Sequence, residues 1–288
     1  MNLEVRHVLH DPSSTFSYVV WDPESLHAAV IDPALDFDQN SGRTGTETAR
    51  KLVDIVRAEG LTVDWILETH AHADHVSAAP FVRREVGGQV GIGEAIREVQ
   101  NHFRDLFNLE RGFLPDGSQF DHLFADGETF EVGGIAARAI ATPGHTNDHL
   151  TYWIGAAAFV GDTLFMPDAG TARCDFPGGD ARKLYQSARR LFHELPDDTR
   201  MFMLHDYGAG NTRERRNETT VGEQRRDNIH VHEGVEENDY VRMRTERDAT
   251  LDLPKLIIPS VQLNIRAGEM PPAEVGDKRY IKVPIDAL

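Results

Sequence analysis

The chain has 288 residues, of which 40% are hydrophobic and 27% charged, with a formal net charge of −17 at pH 7. This length supports a substantial core, and the composition is that of an ordinary globular protein. The acidic balance argues against nucleic acid and anionic membranes as partners, because binding to either requires clustered lysine and arginine.

Strands and helices follow one another in a mixed order along the chain. Short β-rich runs bounded by turn residues predict strands at 16–21, 28–31, 63–68, 90–92, 130–132, 135–141, 150–154, 157–160 and 201–204. Helical periodicity predicts helices at 46–59, 76–86, 94–109 and 181–195. Residues 36–45 are polar and carry glycine, which predicts a loop.

The two halves of the chain share one outline, in which strand pairs are followed by strand–helix units. This order predicts two sheets packed face to face with helices outside, an αββα sandwich of the α/β class. We divide the chain into a catalytic domain over residues 1–215 and a helical and irregular C-terminal extension over residues 216–288 that packs on it. Residues 254–263 are predicted to be irregular, and the extension is a candidate dimer interface.

The chain has one cysteine, Cys174, so no disulfide can form within it, and this favours a reducing compartment. Residues 1–11 lack the basic start and apolar run of a signal peptide. No apolar stretch approaches the length of about 20 residues that a membrane helix needs. These features predict a cytoplasmic protein. A lone cysteine is usually a small buried hydrophobe, so no catalytic role is expected for Cys174.

Four ligand-type side chains lie within six positions where a predicted strand ends and a predicted helix begins. They are His70, His72, Asp74 and His75. Imidazole and carboxylate suit zinc, iron and manganese, and the alanines between them allow the backbone to wrap closely around an ion. The cluster therefore predicts a metal site, whereas an isolated surface histidine would carry little weight.

Three further candidates each follow a predicted strand. His145 lies on a Pro-Gly turn, Asp162 comes just past one strand, and His205 comes just past the next. Loops at strand ends on a rigid scaffold are where functional sites are built. These side chains are therefore expected at the same edge of the sandwich as the histidine-rich cluster.

The motifs HAHADH, TPGHT, GDTLF and HDY, in this order within residues 19–208, resemble the pattern of the metallo-β-lactamase superfamily. The resemblance implies that the αββα sandwich carries one or two metal ions. The first metal position of that family corresponds here to His70, His72 and His145. The second corresponds to Asp74, His75 and His205, and the aspartate between the two positions is Asp162.

Within the superfamily, the segment after Asp162 is similar to that of persulfide dioxygenases. Residues 170–176 match their Gly-x-x-Arg-x-Asp-Phe signature, and residues 205–207 are His-Asp-Tyr, where glyoxalase II thioesterases usually have His-Glu-Tyr. This resemblance implies one non-haem Fe(II) per chain held by His70, His145 and Asp162, a set that leaves positions open for reactants. The remaining cluster residues would then orient ligands and water: His72, Asp74, His75 and His205.

The reaction implied by this resemblance takes glutathione persulfide, or a similar low-molecular-weight persulfide, and O2 to sulfite and thiol. Three candidate catalytic residues follow from it. Tyr207 is a candidate hydrogen-bond donor at the open face, with a packed tyrosine as the alternative. Arg173 either pairs with a substrate carboxylate or braces its own loop through Asp175. His230 and His232 are expected at the surface or at an interface.

Two other functions are left open by the same residues. All seven ligand types also suit two zinc ions and a glyoxalase II-like thioesterase, in which a hydroxide of lowered pKa attacks a thioester carbonyl. A non-catalytic metal or persulfide sensor is a third alternative, which the absence of a DNA-binding motif disfavours. The identity and number of the metal ions decide between the dioxygenase and the thioesterase.

Overall fold

The computed structural model describes residues 3–287. In chain order, its strands are β1 (Glu4–His10), β2 (Thr15–Trp21), β3 (His27–Ile31), β4 (Ala34–Asp38), β5 (Arg43–Gly45), β6 (Thr62–Leu67), β7 (Val76–Ser77), β8 (Gln89–Gly93), β9 (His122–Phe124), β10 (Thr129–Val132), β11 (Ile135–Ala141), β12 (Leu150–Ile154), β13 (Ala157–Phe159), β14 (Arg200–Phe202) and β15 (Glu218–Thr220). Its helices are α1 (Glu47–Ala58), α2 (Ala79–Val86), α3 (Ile96–Leu106), α4 (Ala181–Glu194), α5 (Gly208–Asn211), α6 (Val221–Asp227), α7 (Glu237–Asp248) and α8 (Ile257–Asn264).

The strands form two large sheets and one small sheet. The first has the order β1-β2-β3-β6-β8-β9 and the second the order β10-β11-β12-β13-β14-β15, while β5, β4 and β7 form the third. In the second sheet β11 and β13 both run antiparallel to β12, and β14 runs parallel to β13. The carboxyl ends of β11, β13 and β14 therefore lie at one edge, and the loops that carry His145, Asp162 and His205 begin there.

Alternate residues of the central strands enter two different cores. Val19 and Val30 pack toward the helices outside the first sheet, whereas Tyr18 and Ile31 pack into the core between the two large sheets. Successive side chains of a strand point to opposite faces, so a strand buried on both faces is apolar at nearly every position. A third core lies between the second sheet and α4, α6 and α7. The result is the predicted αββα sandwich.

Two predicted irregular segments are regular in the structure. Residues 36–45 contribute to the antiparallel pair β4–β5, and this prediction was wrong because the strands are short and partly exposed, so their composition is that of a loop. Residues 254–263 contain most of α8, which is buried around most of its circumference. A helix without a polar face gives no amphipathic signal, and for that reason the sequence did not indicate it.

Part of the C-terminal extension belongs to the second sheet. β15 pairs antiparallel with β14, while α6 and α7 cover the outer face of that sheet. The domain division between residues 215 and 216 stays a prediction. No helix within residues 3–287 combines the length and the apolar character needed to cross a membrane.

Candidate metal centre

Three side chains from three loops meet at the edge of the sandwich. His70 follows β6, His145 follows β11 and Asp162 follows β13. Asp162 Oδ2 lies 3.8 Å from His70 Nε2 and 3.5 Å from His145 Nε2. All three side chains are buried, and one ligand atom of each lies within 4.8 Å of the others. The structure thus brings together the three residues that the sequence singled out as iron ligands.

A second group of ligand-type residues lies beside this triad. His72, Asp74 and His75 also place ligand atoms within 4.8 Å of one another. His205, which follows β14, has its Nε2 3.1 Å from Asp74 Oδ2 and 3.5 Å from Asp162 Oδ1. Asp162 therefore lies between the two groups, with one carboxylate oxygen toward each.

Hydrogen bonds behind the imidazoles fix which nitrogen faces the cluster. His145 Nδ1 donates to the carbonyl oxygen of Arg173 at 2.7 Å. His70 Nδ1 donates to Thr69 Oγ1 at 3.0 Å, and that hydroxyl donates to Asp32 Oδ2 at 3.0 Å. A neutral imidazole has one donor and one acceptor nitrogen, so Nε2 of both rings keeps a lone pair for an ion.

His72 is oriented through Nε2, whereas His70 and His145 are oriented through Nδ1. Its Nε2 lies 2.9 Å from Asp32 Oδ1 and 3.1 Å from Glu68 Oε2, and donates to these carboxylates. Glu68 also accepts a hydrogen bond from the Ser77 hydroxyl. Nδ1 of His72 is therefore the nitrogen that faces the cluster, and two buried carboxylates orient the ring from behind.

Five buried polar atoms of this cluster have no hydrogen-bond partner among the described residues. They are Nε2 of His70, His75 and His205, Nδ1 of His72 and Oδ1 of Asp162. An unpaired buried polar group costs about 1–3 kcal/mol, so five of them in one place indicate atoms arranged around a cation. Imidazole and carboxylate donors suit iron, zinc or manganese, and the residues present therefore fit a metal ion.

Burial keeps two imidazoles of the cluster, those of His70 and His75, in the neutral form. Burial, together with the neighbouring His72, holds the pKa of His70 well below its usual value, and the same causes lower the pKa of His75 to about 4. Both rings are therefore neutral at pH 7, which is the form that binds metal. Burial raises the pKa of Asp162, so its negative charge is unfavourable until a cation balances it.

His149 orients Asp162 from behind. The backbone N–H of Asp162 donates to His149 Nε2 at 2.9 Å, and His149 Nδ1 donates to Thr142 Oγ1 at 2.9 Å. The ring also stacks on His70, with centroids 4.8 Å apart. Gly161 has a φ of +48°, and a Cβ there would lie 2.5 Å from His149 Nε2. This close approach requires glycine at the position before Asp162.

A cavity of about 460 Å³ opens onto the triad. His145, Asp162 and Asp74 line its inner end, and Phe165 and Phe176 add apolar surface beside them. The volume lies in the range of small-molecule sites, which combine apolar walls with a few placed polar groups. The cavity thus gives a small substrate access to the triad.

The model of the Metallo-beta-lactamase superfamily matches residues 10–202 of this chain. The chain belongs to this superfamily. It is 51% identical to a probable metallo-hydrolase of Burkholderia pseudomallei, over 96% of this chain and 98% of that protein. It is also 44% identical to Glyoxylase B2 of Dictyostelium discoideum, over 96% of this chain and 94% of that protein. A Beta-lactamase hydrolase-like protein of Agrobacterium fabrum is 48% identical, and this chain spans 64% of its length.

Persulfide dioxygenases are more distant relatives within the superfamily. The human mitochondrial persulfide dioxygenase ETHE1 is 28% identical, over 93% of this chain and 90% of that protein. The crystal structure of ETHE1 from Myxococcus xanthus matches with a TM-score of 0.73 and 27% identity, covering 92% of this chain and 100% of that chain. The predicted metallo-β-lactamase fold is thereby confirmed.

Tyr207 also lines the cavity that opens onto the triad. Its ring stacks on that of His205, with centroids 6.0 Å apart and 8° between the planes, and Phe165 contacts it edge-on. The side chain is 49% exposed, so it is not the fully packed tyrosine that was the alternative. Its phenol is available to a molecule in the cavity.

Arg173 and Asp175, the other two catalytic candidates, pair with each other. Arg173 donates to both carboxylate oxygens of Asp175, each at 2.6 Å, and to the carbonyl oxygen of Asp252 at 2.6 Å. Its guanidinium lies 5.1 Å from the centre of the Phe176 ring. Of the two roles considered for Arg173, this geometry favours the brace. The brace holds the backbone carbonyl that orients His145.

A buried ion pair on α7, which the sequence did not indicate, fixes the same loop. Arg244 Nε donates to Asp248 Oδ1 at 2.8 Å, and both side chains are almost fully buried. Arg244 also donates to the carbonyl oxygen of Thr171 at 3.2 Å, while Asp248 Oδ2 accepts from the backbone N–H of Cys174 at 2.8 Å. These bonds hold both ends of the segment that carries Arg173.

Two polar residues of the C-terminal extension also support the site. Asn264 on α8 donates to the carbonyl oxygens of His72 and His75, each at 2.8 Å. His230 was expected at the surface or at an interface. The surface position was wrong, because the side chain is buried within the chain and its Nδ1 accepts from the backbone N–H of Thr171 at 3.0 Å. Both contacts join residues far apart in sequence, so local pattern gave no signal for them.

Proposed function

We propose that this superfamily member is an iron(II)-dependent persulfide dioxygenase. Its substrates are O2 and a low-molecular-weight persulfide such as glutathione persulfide, and its products are sulfite and the free thiol. One persulfide, one O2 and one water give one sulfite, one thiol and two protons, so the terminal sulfur loses the four electrons that O2 gains. The proposed compartment is the cytoplasm, where low-molecular-weight thiols are kept reduced.

The observation that carries this proposal is the triad of His70, His145 and Asp162 at the inner end of the cavity. Two imidazoles and one carboxylate on one side of an ion leave positions open for reactants. Asp74 lies 3.1 Å from His75 Nδ1 and 3.1 Å from His205 Nε2. Because Asp74 already has an imidazole nitrogen at 3.1 Å on either side, the proposal places its one ion at the triad.

The likeness to proteins named persulfide dioxygenases supports the same function. The match extends over most of this chain and of those proteins. Residues 170–176 and 205–207 of this chain also resemble the signatures of that branch. The first of these segments forms the cavity wall behind His145, and the second carries Tyr207, so both signatures lie at the proposed site.

The residues of the chain prepare the site in three ways. Iron(II), when bound, supplies a centre at which a soft persulfide sulfur and O2 meet. The Arg173 carbonyl keeps Nε2 of His145 directed at that centre. Phe165 and Phe176 give the persulfide an apolar wall, and the phenol of Tyr207 donates a hydrogen bond to the substrate at the open side.

One observation favours a second candidate, a binuclear thioesterase. The unpartnered buried atoms extend over both ligand groups rather than over the triad alone. Two ions held there would activate water for attack on a thioester carbonyl. The 44% identity to Glyoxylase B2 supports this alternative as well.

Metal analysis and two assays separate the two functions. The protein is purified from cells supplied with both iron and zinc, and the metal content per chain is counted. We expect about one iron per chain, O2 uptake on addition of glutathione persulfide, and no hydrolysis of S-lactoylglutathione under anaerobic conditions. Two zinc ions per chain, with thioester hydrolysis and no O2 uptake, would replace the dioxygenase by the thioesterase.

Two variants at aspartates assign the activity to the site. Asp162→Ala removes the carboxylate between the ligand groups and is expected to lose metal and O2 uptake while retaining its helical circular dichroism. Asp38→Ala, at an exposed position of β4, is the control and is expected to keep both. Full O2 uptake by Asp162→Ala would exclude the triad as the catalytic centre.

A further inference from the structure

Outside the cluster of candidate metal ligands, most charged side chains that line the cavity form ion pairs within the protein. Asp168 pairs with Arg213 at 2.6 Å. Arg173 pairs with Asp175 at 2.6 Å. Asp168 and Arg173 therefore have no free charge for a ligand, because each already has an opposite charge at hydrogen-bond distance.

Arg247 is different from the other arginines of the cavity. Arg244 has Asp248 as its buried partner, whereas Arg247, on the last turn of the same helix, is exposed and lines the cavity. Within residues 3–287 it is the one cavity-lining arginine with no carboxylate oxygen within 4.0 Å. Its five N–H donors are therefore available to a ligand.

We propose that Arg247 forms a carboxylate-binding subsite of the cavity, and that the substrate carries a carboxylate remote from its reacting sulfur. The inference rests on the proposed function in one respect, since it takes the molecule in the cavity to be a thiol derivative. It adds the chemical class of the substrate and the residue that selects it.

The surroundings of Arg247 fit such a ligand. Ile229 and Leu251, which are 55% and 41% exposed, line the same cavity and present apolar surface. The positive charges of Arg244 and Arg247 contribute, after burial, to lowering the pKa of His230 to about 4, so Arg247 acts electrostatically on groups beside this wall. The chain as a whole has a net charge of −17, so an anionic substrate needs a local cation to enter.

The subsite and the metal cluster define a ligand with two different ends. A sulfur at the inner end reaches the triad, an apolar or uncharged middle lies along the walls, and a carboxylate at the other end receives paired N–H bonds from the guanidinium. A planar guanidinium matches a carboxylate in geometry and charge, which a lysine does not do equally well. Glutathione and its derivatives belong to this class.

Binding measurements with two matched ligands test the subsite. Glutathione and its diethyl ester are titrated calorimetrically into the metal-loaded protein without O2. Arg247→Met is expected to bind glutathione about tenfold more weakly than the unchanged protein does, because it loses a charge-assisted pair. The diethyl ester is expected to bind both proteins equally. Arg111→Met, which removes an exposed arginine outside the cavity, is expected to leave both affinities unchanged.

Kinetics with glutathione persulfide provide the second readout. Arg247→Met is expected to raise KM about tenfold with kcat unchanged, since the guanidinium binds the substrate away from the reacting atoms. Equal affinity of Arg247→Met and the unchanged protein for glutathione would overturn the subsite, as would a failure of the unchanged protein to bind glutathione.

Failure of the subsite and failure of the proposed function give different results. Calorimetry does not depend on turnover, so a selective loss of glutathione binding in Arg247→Met without any O2 uptake would retain the subsite and reject the dioxygenase. O2 uptake with an unchanged KM in Arg247→Met would retain the dioxygenase and reject the subsite.

Discussion

Asp32 lies behind the metal cluster, where its carboxylate connects two of the cluster's histidines. Its Oδ1 accepts from His72 Nε2 at 2.9 Å and from the backbone N–H of Thr69 at 2.7 Å. Its φ of +47° lies in a region that few residues other than glycine adopt. This backbone conformation is retained because it places one carboxylate behind both His72 and the residue that orients His70.

Replacing this carboxylate weakens metal binding. Asp32→Asn is expected to lower metal affinity about 10–100-fold, because an amide is a poorer acceptor than a carboxylate for the Thr69 hydroxyl that orients His70. Competition with a chelator of known affinity measures the change. Asp38→Asn, at an exposed position of β4, is the control. Identical affinities of the two variants would show that the orientation of His70 does not depend on this carboxylate.

The role proposed for Tyr207 concerns the substrate and not the metal. Tyr207→Phe keeps the ring that stacks on His205 but removes the phenolic donor. We expect kcat for persulfide oxidation to fall about tenfold, which corresponds to the loss of one hydrogen bond, with metal content unchanged. Steady-state O2 uptake and metal analysis measure the two quantities. A loss of metal together with activity would assign Tyr207 to the support of His205 instead.

The buried His230 makes stability depend on pH. Burial, with Arg244 and Arg247 nearby, lowers its pKa in the folded state to about 4. Between this value and the ordinary pKa of about 6.5 the unfolded chain binds the additional proton, so stability falls as the pH drops through this window. His230→Asn retains an acceptor for Thr171 and is expected to reduce the stability lost between pH 7 and pH 5 by about 1–2 kcal/mol. Urea unfolding at both pH values measures this, and parallel losses in the two proteins would contradict it.

At the scale of secondary-structure elements, α7 connects the C-terminal extension to His145, a candidate metal ligand. The chain of contacts runs from the buried pair of Arg244 and Asp248 to the backbone of Thr171 and Cys174. The Arg173 carbonyl between these two residues accepts from His145 Nδ1. A helix on the outer face of the second sheet thereby restricts the orientation of one imidazole at the sheet edge.

Breaking the ion pair on α7 has two measurable effects. Asp248→Asn is expected to cost about 3–5 kcal/mol of folding free energy, because it leaves a buried guanidinium without its counter-charge. Metal affinity is expected to fall as well, since the segment behind His145 loses an anchor. Asp239→Asn breaks an exposed pair with Arg242 on the same helix and is expected to cost at most about 1 kcal/mol. Urea unfolding and chelator competition measure the two effects.

A stability loss in Asp248→Asn with full metal affinity would show that α7 supports the fold alone. In that case the orientation of His145 would depend on Arg173 and its pairing with Asp175. The comparison with Asp239→Asn separates this result from a general effect of changing charge on α7.

The elements show why some features could be predicted from the sequence and others could not. Nine strands of the two large sheets and the ligand motifs were predictable because each depends on neighbours in sequence, as His70 after β6 and Asp162 after β13 illustrate. Arg244 and Asn264 were not predictable, because their partners lie more than 70 and almost 200 residues away, respectively, in sequence. On the sequence alone both have the residue type of a solvated surface.

At the scale of the whole molecule, the candidate metal ligands come from loops of both halves of the sandwich. His70 comes from the first sheet, while His145 and Asp162 come from the second. An ion bound to all three therefore joins the two sheets at one edge. Because it binds the folded chain and not the unfolded one, it adds to the stability of the entire domain.

Removal of the metal is expected to lower the Tm of the protein. An ion present at about 1,000 times its Kd stabilises the folded state by about 4 kcal/mol, which for a chain of this size corresponds to a Tm change on the order of 10 °C. Differential scanning calorimetry before and after treatment with a chelator measures the shift. The Asp162→Ala variant serves as the control and is expected to show the same Tm in both conditions. An unchanged Tm in the wild-type protein would contradict a structural contribution of the ion.

The position of Cys174 has a consequence for how this molecule is handled and observed. It is the one thiol of the chain, it is 7% exposed, and burial raises its pKa, so it stays protonated and poorly nucleophilic at neutral pH. Alkylating reagents therefore reach it only when the loop between Thr171 and Cys174, which α7 holds in place, opens. The rate at which a maleimide labels the native protein then reports the opening frequency of that loop at a single built-in position, without any engineered probe.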